Sequence, residues 1–519
     1  MLSVVVFLPL LAALVLLAVP VLPGRAAMAV WVTVAAVDLA VLTGMWLAAD
    51  LAAGVTGGLA YEQRVPWIPG VGSSYHVGVD GLSLPLLLMT AGVFLAAGIY
   101  SLAEDKRPRE YSALFLFLLS MSLGVFASLD LLVFFVFFDL SIVGMYFVIA
   151  GWGHAGAARA ALQFFLYTFL GSLAMLVAFL GLYVAAGTFD MVELARNPPL
   201  EGKPVAAGFV LLALSIGLAV KTPTVPFHTW LPPAHTDAPA AGSAVLAAVL
   251  LKMGTYGFVR IAMPILPEAW RRYALVFVVV GVVSILYGAL VALAQDDLKR
   301  MIAYTSVNHM GYVLLGLGAA GVLSGGDAEQ ARAVAVTGAM TQMVSHGLIT
   351  AALFLLAGVL YERGHSYDMR RYGGLAGPMP RFASLFAVGA FASLGIPGFT
   401  GFLAEFQIFA GSLATVPVAA AIGVLGILLT AALFLAALQR VFAGPDGELT
   451  ERIAGVEVSR TGGKAVKTGL RPKLRVDVTP RELAAVTPLL LLALVLGLVP
   501  RPLLDLIEPA ARTVTELVS

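Results

Sequence analysis

Long apolar runs recur along the whole of this 519-residue chain and leave few folds open to it. A hydrocarbon core about 30 Å thick is crossed by a helix of about 20 apolar residues. Hydrophobic residues make up 60% of the sequence and charged residues only 12%. The sequence therefore predicts an all-α polytopic membrane protein.

We predict about fourteen transmembrane helices from these runs. They lie near residues 2–22, 28–50, 82–103, 111–128, 130–150, 160–186, 206–231, 239–262, 272–294, 299–320, 335–361, 381–413, 415–442 and 484–504. The spans at 206–231 and 381–413 carry helix breakers in the middle, so we expect each of them to be a broken helix.

The basic residues between the predicted spans indicate an orientation. If residue 1 lies outside, the loops assigned to the cytoplasm hold most of the loop lysines and arginines, among them Arg107, Lys299, Arg300 and the basic stretch at 452–481. Positive residues accumulate in cytoplasmic loops. We therefore expect a multi-pass protein of the cell's inner (plasma) membrane with both termini on the periplasmic side.

Charge and cysteine content exclude several classes of function. The formal net charge is +1 and the basic residues lie in loops rather than in a stripe, so no nucleic-acid partner is indicated. The chain has no cysteine, which excludes disulfides, thiolate metal sites and iron–sulfur clusters held by cysteine.

The two broken helices occupy matching places in the two halves of the chain. Pro223 and Pro226 interrupt the fourth helix of residues 111–262, and Gly395-Ile-Pro397-Gly398 interrupts the fourth helix of residues 272–442. Units of five helices cross the membrane an odd number of times, so two such repeats would be inverted relative to each other. Broken helices at membrane depth line cavities, although a proline can also simply kink a packed helix.

This pattern predicts five segments along the chain. They are an N-terminal three-helix segment (1–110), a first five-helix repeat (111–262), a second five-helix repeat (272–442), a cytoplasmic loop (443–483) and a C-terminal helix and tail (484–519).

Ionisable residues inside apolar spans are costly, and the default interpretation is an ion or proton path. Those of this chain are Asp38, Asp139, Lys221, Lys252, His309, His346 and Glu405. Asp38 lies in the peripheral second span, where we expect it to hydrogen-bond between helices rather than to join a path.

The other six residues predict a proton relay. A carboxylate at Asp139 would hold Lys221 protonated, and moving it away would favour loss of that proton because burial opposes charge. Lys252 would be the central relay, His309 and His346 would continue the path, and Glu405 would end it. Each histidine alone could instead be a hydrogen-bonded packing residue.

Five stretches together resemble one family over nearly the whole chain. They are KTPTVPFHTWLPPAHTDAPAAGSAVLAAVLLKMGTYGFVR at 221–260, HVGVDGLSLPLLL at 76–88, DDLKRMIAYTSVNHMGYVLLG at 296–316, SHGLITAALFLLAGVLYERGHSYDM at 345–369 and GIPGFTGFLAEF at 395–406. The sequence resembles the NuoM-type antiporter-like membrane subunits of respiratory complex I, the proton-translocating NADH:quinone oxidoreductase.

The resemblance implies a role for each matching residue. Lys221 takes the place of the family's broken-helix lysine, Lys252 of its central lysine and Glu405 of its second-half glutamate, and His309 and His346 match histidines on the axis between them. The glutamate favours the NuoM-type member, because the related subunits on either side carry lysine there.

The same resemblance implies the surroundings of the chain. Other complex I membrane subunits would flank it on both sides within the lipid, and the NADH and quinone sites would lie in other subunits. No flavin, quinone or metal would bind this chain.

The sequence departs from the family pattern at three places. Asp139 stands where the family usually has glutamate, which makes a water bridge or a helix shift between Asp139 and Lys221 plausible. Gln163 stands where relatives often have a basic residue. The segment 443–483 resembles an insertion that contacts a peripheral subunit or lipid headgroups, or is simply a mobile loop.

Two other functions remain open. A subunit of a multi-subunit Mrp-type cation/proton antiporter has the same fold, although its members resemble the chain less in the AHTDAPAAGS stretch. A membrane subunit of a hydrogenase-type complex that has lost transport is a further alternative, against which the retention of Lys221, Lys252 and Glu405 argues.

Overall fold

The computed structural model describes residues 1–19, 21–48, 58–323, 328–454, 456–461, 464–470 and 477–519. The helices of the first half are α1 (Leu2–Ala18), α2 (Gly24–Ala48), α3 (Leu84–Tyr100), α4 (Pro108–Ala127), α5 (Leu131–Trp152), α6 (Ala157–Ala186), α7 (Met191–Arg196), α8 (Pro204–Lys221), α9 (Leu231–Asp237) and α10 (Ala240–Ile265). Those of the second half are α11 (Pro267–Leu293), α12 (Leu298–Ala320), α13 (Ala328–Gly364), α14 (Pro380–Ser393), α15 (Thr400–Thr415), α16 (Pro417–Phe442), α17 (Glu448–Ile453), α18 (Pro480–Leu498) and α19 (Arg501–Leu517).

Eleven of the described helices are long and apolar enough to cross a membrane. This confirms the predicted class of all-α polytopic membrane protein. The remaining predicted spans fall on α1, on α12 and on the pair α14 and α15. The count of fourteen, the two inverted repeats and the predicted segment boundaries stay predictions.

Both predicted helix breaks are present. Helix α8 ends at Lys221, because Pro223 and Pro226 have no N–H to continue its ladder, and the chain becomes helical again at Leu231. Helix α14 ends at Ser393, and α15 begins at Thr400. Between them Gly395 has a φ of +76°, a conformation that side chains disfavour.

Helix α10 passes close to the first break and is unevenly wound. A Cβ atom on Gly254 would lie 2.4 Å from Thr222 Oγ1 and 2.7 Å from Leu218 O, so a glycine is needed where α10 meets the end of α8. Residues 246–250 and 258–262 form π-helical turns on either side of Lys252. Such turns occur frequently at functional sites.

Two antiparallel hairpins accompany the helices. The first joins β1 (Ala60–Ile68) to β2 (Ser73–Val79), and the second joins β3 (Val456–Thr461) to β4 (Lys464–Leu470). The second hairpin and α17 lie in the segment 443–483, of which residues 455, 462–463 and 471–476 are outside the described part. Its predicted contact or mobility therefore stays a prediction.

Side-chain hydrogen bonds tie the first hairpin to the helices. His76 Nδ1 lies 2.8 Å from Asp190 Oδ2, and His76 Nε2 lies 2.8 Å from Glu62 Oε1. Burial opposes the charge on His76, but the two carboxylates outweigh it and raise the histidine's pKa above its ordinary value. Asp80, just after β2, forms a buried ion pair with Arg260 of α10 at 2.6 Å.

One expectation about a single residue is wrong. Asp38 is buried, but neither carboxylate oxygen has a hydrogen-bond partner within the described residues, so it does not bond between helices. Lys299, counted with the basic residues of the cytoplasmic loops, is fully buried in the first turn of α12, and its side of the membrane stays a prediction.

Candidate functional site

The central lysine and a histidine of the second half are in direct contact. Lys252 of α10 is fully buried, and its Nζ lies 2.5 Å from Nδ1 of His346 on α13. The same Nζ donates a hydrogen bond of 2.6 Å to Ala247 O, a carbonyl of the adjacent π turn. The ammonium is thus held by one carbonyl and one imidazole, and no lipid-facing position is involved.

A second histidine continues from His346 to the second break. The rings of His309 and His346 have centroids 5.2 Å apart. His309 Nε2 donates a hydrogen bond of 3.1 Å to Ser393 O, at the last residue of α14, and lies 3.9 Å from Glu405 Oε1. Because α14 stops at Ser393, the break supplies both the carbonyl acceptor and the space for the carboxylate.

The break also fixes the position of Glu405. This side chain on α15 is only 5% exposed. A Cβ atom on Gly395 would lie 2.7 Å from Glu405 Oε2, so the absence of a side chain at Gly395 leaves room for the carboxylate. Lys252, His346, His309 and Glu405 therefore form a continuous row of ionisable groups.

Lys221 and Asp139 lie apart from that row. Lys221 is buried at the end of α8, where its Nζ donates to Ser141 Oγ at 3.3 Å and lies 4.7 Å from the centre of the Phe138 ring. Asp139 interacts with Lys221 electrostatically, yet no hydrogen bond or ion pair joins the two within the described residues. The sequence left a direct pair, a water bridge or a helix shift between Asp139 and Lys221 open, and in the structure Lys221 contacts Ser141.

Ser141 also connects Lys221 to the central lysine. Its Oγ lies 3.6 Å from the sulfur of Met253, the residue after Lys252. The close approach of α8 and α10 at Gly254 brings the two lysine-bearing segments together at the same point. The geometry therefore places all six predicted residues around the two breaks, four of them in one row.

This arrangement is suited to moving protons. An amine, two imidazoles and a carboxylate can each take up and release a proton, and the imidazole titrates near neutral pH in water. His309 Nδ1 and His346 Nε2 are buried and have no hydrogen-bond partner within the described residues, so each is free to exchange a proton with water or with its neighbour.

Sequence reasoning assigned no role to three buried cationic or imidazole side chains nearby. His228 and His235 lie within the segment between α8 and α10, and Lys299 lies at the start of α12. His235 stacks on Phe354 with centroids 4.4 Å apart, and neither of its ring nitrogens has a hydrogen-bond partner within the described residues. In the sequence, the two histidines could have been singled out by the density of polar residues in an otherwise apolar stretch.

Comparisons with known proteins identify relatives of the chain. A family model described as NADH:quinone oxidoreductase/Mrp antiporter, TM, matches residues 128–430, which include both breaks and all six residues of the predicted relay. NADH-quinone oxidoreductase subunit M of Rhodobacter capsulatus is 39% identical over 522 residues, covering 98% of this chain and 95% of that protein.

Solved structures give the same assignment at the level of the fold. A chain of respiratory complex I from Thermus thermophilus with bound NADH is similar with a TM-score of 0.85 at 29% identity, covering 100% of both chains. A chain of the Mrp complex from Dietzia sp. has a TM-score of 0.83 at 24% identity, which shows the shared fold alone. The chain therefore belongs to the NADH:quinone oxidoreductase/Mrp antiporter family of membrane subunits.

Proposed function

We propose that this chain is a proton-translocating, antiporter-like subunit of an NADH:quinone oxidoreductase. The observation that carries the proposal is the row Lys252, His346, His309 and Glu405, in which each group contacts or neighbours the next inside the bundle. Redox chemistry in other subunits would supply the energy, and this chain would itself carry no redox step, flavin, quinone or metal.

The lysine at the first break would act as the switch. In the structure Lys221 is bonded to Ser141 and stays within electrostatic reach of Asp139. Moving the ammonium between Ser141 and the carboxylate would change the electrostatic potential at Lys252, because the end of α8 that carries Lys221 meets α10 at Gly254, two residues from Lys252. A buried charge interacts strongly with its neighbours, since little solvent screens it.

The similarity to subunit M favours this function over the Mrp-type antiporter. The relative from Rhodobacter capsulatus is similar over nearly its whole length, whereas the Mrp structure supports only the fold. In the proposed assembly, related membrane subunits flank this chain in the lipid of the plasma membrane, and the NADH and quinone sites belong to other subunits.

Purification of the native assembly tests the proposal. NADH-oxidising subunits should co-purify with the tagged chain, and sealed vesicles containing the assembly should acidify when NADH and a quinone are added. Lys252→Ala should abolish this acidification, whereas Lys203→Ala, which removes an exposed lysine, should leave it unchanged. Cation-driven proton movement without NADH, in an assembly lacking NADH oxidation, would instead support the Mrp-type function.

The proposed orientation has a separate test. The chain has no cysteine, so single reporters can be introduced without background. Asp446→Cys should react with an impermeant thiol reagent only from the cytoplasmic side, and Val65→Cys, at an exposed position on β1, only from the periplasmic side. Labelling of residue 446 from the periplasm would contradict the proposed topology.

A further inference from the structure

Lys299 is a buried cation that the proposed relay does not use. Its side chain is fully buried, its Nζ donates a 2.5 Å hydrogen bond to Ala238 O, and it lies 5.1 Å from the centre of the Tyr367 ring. The charged residues that act on it are Asp237 and Asp297, and neither forms an ion pair with it within the described residues. A buried ammonium without a contacting carboxylate is costly and calls for a function.

Backbone pairing explains how Lys299 reaches this position. Leu298 N donates to Tyr367 O at 2.9 Å, and Met369 N donates to Asp296 O at 2.8 Å. The segment before α12 is therefore paired with the segment after α13, and Tyr367 lies over the Lys299 side chain. The lysine is thus enclosed by a loop rather than exposed at the end of the helix.

A surface cavity of about 260 Å³ lies on the other side of Tyr367. Its walls include His154, Tyr367, Glu104, Glu362 and Arg481. His154 Nε2 lies 3.3 Å from the Tyr367 hydroxyl, and His154 N donates to Asp237 O at 2.8 Å. The cavity therefore shares Tyr367 with the surroundings of Lys299, and His154 links its wall to Asp237, at the face that the sequence assigns to the cytoplasm.

His154 lies in the loop between α5 and α6, at the wall of this cavity. Burial lowers its pKa to about 4, and the charge of Lys299 acts in the same direction. The imidazole is consequently neutral near pH 7 and can exchange a hydrogen bond with water or with the Tyr367 hydroxyl.

On its inner side Lys299 faces the start of the relay. Ala238, which accepts its hydrogen bond, lies three residues after His235. The charges of both Lys299 and Lys252 act on the His235 ring, whose two nitrogens are buried and have no hydrogen-bond partner within the described residues. His235 is therefore within electrostatic reach of both lysines, and both of its ring nitrogens are without a hydrogen-bond partner in the described part of the chain.

We propose that Lys299 is a proton-carrying residue that connects the cavity at His154 and Tyr367, through His235, to Lys252. This inference rests on the proposed function. The neutral amine of Lys299 takes a proton that hydronium delivers from the cavity past His154 and Tyr367, so one N–H bond forms at Lys299 and one O–H bond of hydronium breaks. The ammonium then gives a proton to His235, and the imidazolium gives one to Lys252, with no electron transferred at any step.

The competing explanation is a structural one, in which Lys299 only donates its hydrogen bond to Ala238 O. Three substitutions separate the two. Lys299→Arg keeps a charged donor that does not release its proton, Lys299→His keeps a group that does, and Lys299→Gln keeps neither property. Arg300→Gln is the matched control, because it removes an exposed positive charge one residue away.

The experiment compares proton pumping per NADH oxidised in vesicles containing the intact assembly. We expect Lys299→Gln and Lys299→Arg to lose at least half of the pumping ratio and Arg300→Gln to match the wild type. Lys299→His should retain pumping, with its decline shifted to lower pH, since histidine loses its proton at lower pH than lysine. If Lys299→Gln fails to assemble, the arginine and histidine variants still distinguish proton transfer by Lys299 from a purely structural role.

Wild-type pumping by Lys299→Arg would overturn the inference and leave Lys299 a structural donor. The proposed function is tested separately by Lys252→Ala in the same vesicles. If Lys252→Ala loses pumping while Lys299→Arg keeps it, only the inference fails. If Lys252→Ala pumps fully, the proposed function itself fails.

Discussion

Lys252 and His346 come from different halves of the chain, yet their side-chain nitrogens lie 2.5 Å apart. The contact joins α10 to α13 at the point where a proton would pass from an amine to an imidazole. Lys252→Arg keeps the charge but does not release a proton at physiological pH, so we expect it to lose pumping nearly as completely as Lys252→Ala.

Acidification of sealed vesicles at matched expression measures this difference. An arginine variant that pumps at the wild-type rate would show that position and charge suffice and that Lys252 does not exchange its proton.

Gly395 should be needed specifically for the position of Glu405. Gly395→Ala would bring a Cβ atom to 2.7 Å from the carboxylate at a φ of +76°, so both backbone strain and displacement of Glu405 are expected. Gly398→Ala is the control, since its φ is also positive but its nearest contact is Leu498 at 3.7 Å. The strain costs about 1–2 kcal/mol at either site.

We therefore expect the Gly395 variant to pump much less than the Gly398 variant at equal yield of assembled complex. Equal pumping by the two variants would contradict the proposed link between the break and the carboxylate.

The Asp139 carboxylate should matter through its charge rather than through a direct contact. Asp139→Asn keeps the shape but removes the charge that acts on Lys221, so pumping and the coupled quinone reduction should fall while assembly persists. Asp139→Glu should be tolerated, because the charge is kept and reaches further.

Ser141→Ala offers a comparison within the same turn of α5. It removes the hydrogen bond that Ser141 accepts from Lys221 and should reduce pumping less than Asp139→Asn, because the aspartate's charge still acts on the lysine. A larger loss in the Ser141 variant would show that the serine, rather than the aspartate, governs the lysine.

The His76 and Asp190 contact should make the first hairpin pH-sensitive. The folded-state pKa of His76 lies above its ordinary value, because its two carboxylate partners outweigh its burial. The contribution of the charged His76 to the stability of the hairpin is therefore complete below the ordinary pKa and is lost as pH rises through the folded-state pKa. Burial opposes the charge on Asp190, but its hydrogen bonds to His76 and Glu193 N and the charges of His76 and Arg64 together lower its pKa, so its contribution to stability is lost as pH falls through that lowered pKa.

Hydrogen exchange of residues 60–79 in the intact assembly measures the pH dependence of the stability of the first hairpin. His76→Gln should accelerate exchange strongly at pH 6 and only weakly at pH 9, after correction for intrinsic rates. An effect of the same size at both pH values would show that the charge on His76 contributes nothing.

The breaks and the ionisable residues could be predicted from the sequence because each depends on local chemistry. Pro223, Pro226 and Gly395 interrupt a helix whatever surrounds them, and a lysine or glutamate in an apolar run is visible without a structure. The partners could not be predicted. Ser141 is 80 residues from Lys221, and the carbonyl of Ser393 is 84 residues from His309.

Lys299 shows a second reason why sequence reasoning stopped short. Its neighbours Asp296, Asp297 and Arg300 suggest an exposed loop, and only the pairing with the segment after α13 buries it. Asp38 was misassigned for a similar reason, since a carboxylate in an apolar helix indicates a partner but not whether the facing helix supplies one.

The winding of the two π turns on either side of Lys252 determines the direction in which its side chain points. A π turn accommodates one residue more than an α turn, and one residue of an α-helix corresponds to a rotation of about 100°. Winding residues 246–250 as an α turn, with none deleted, would therefore rotate Lys252 relative to the preceding anchor at Pro239 and Ala240. The angular register of α10, rather than the reach of a flexible side chain, aims the amine at its imidazole partner.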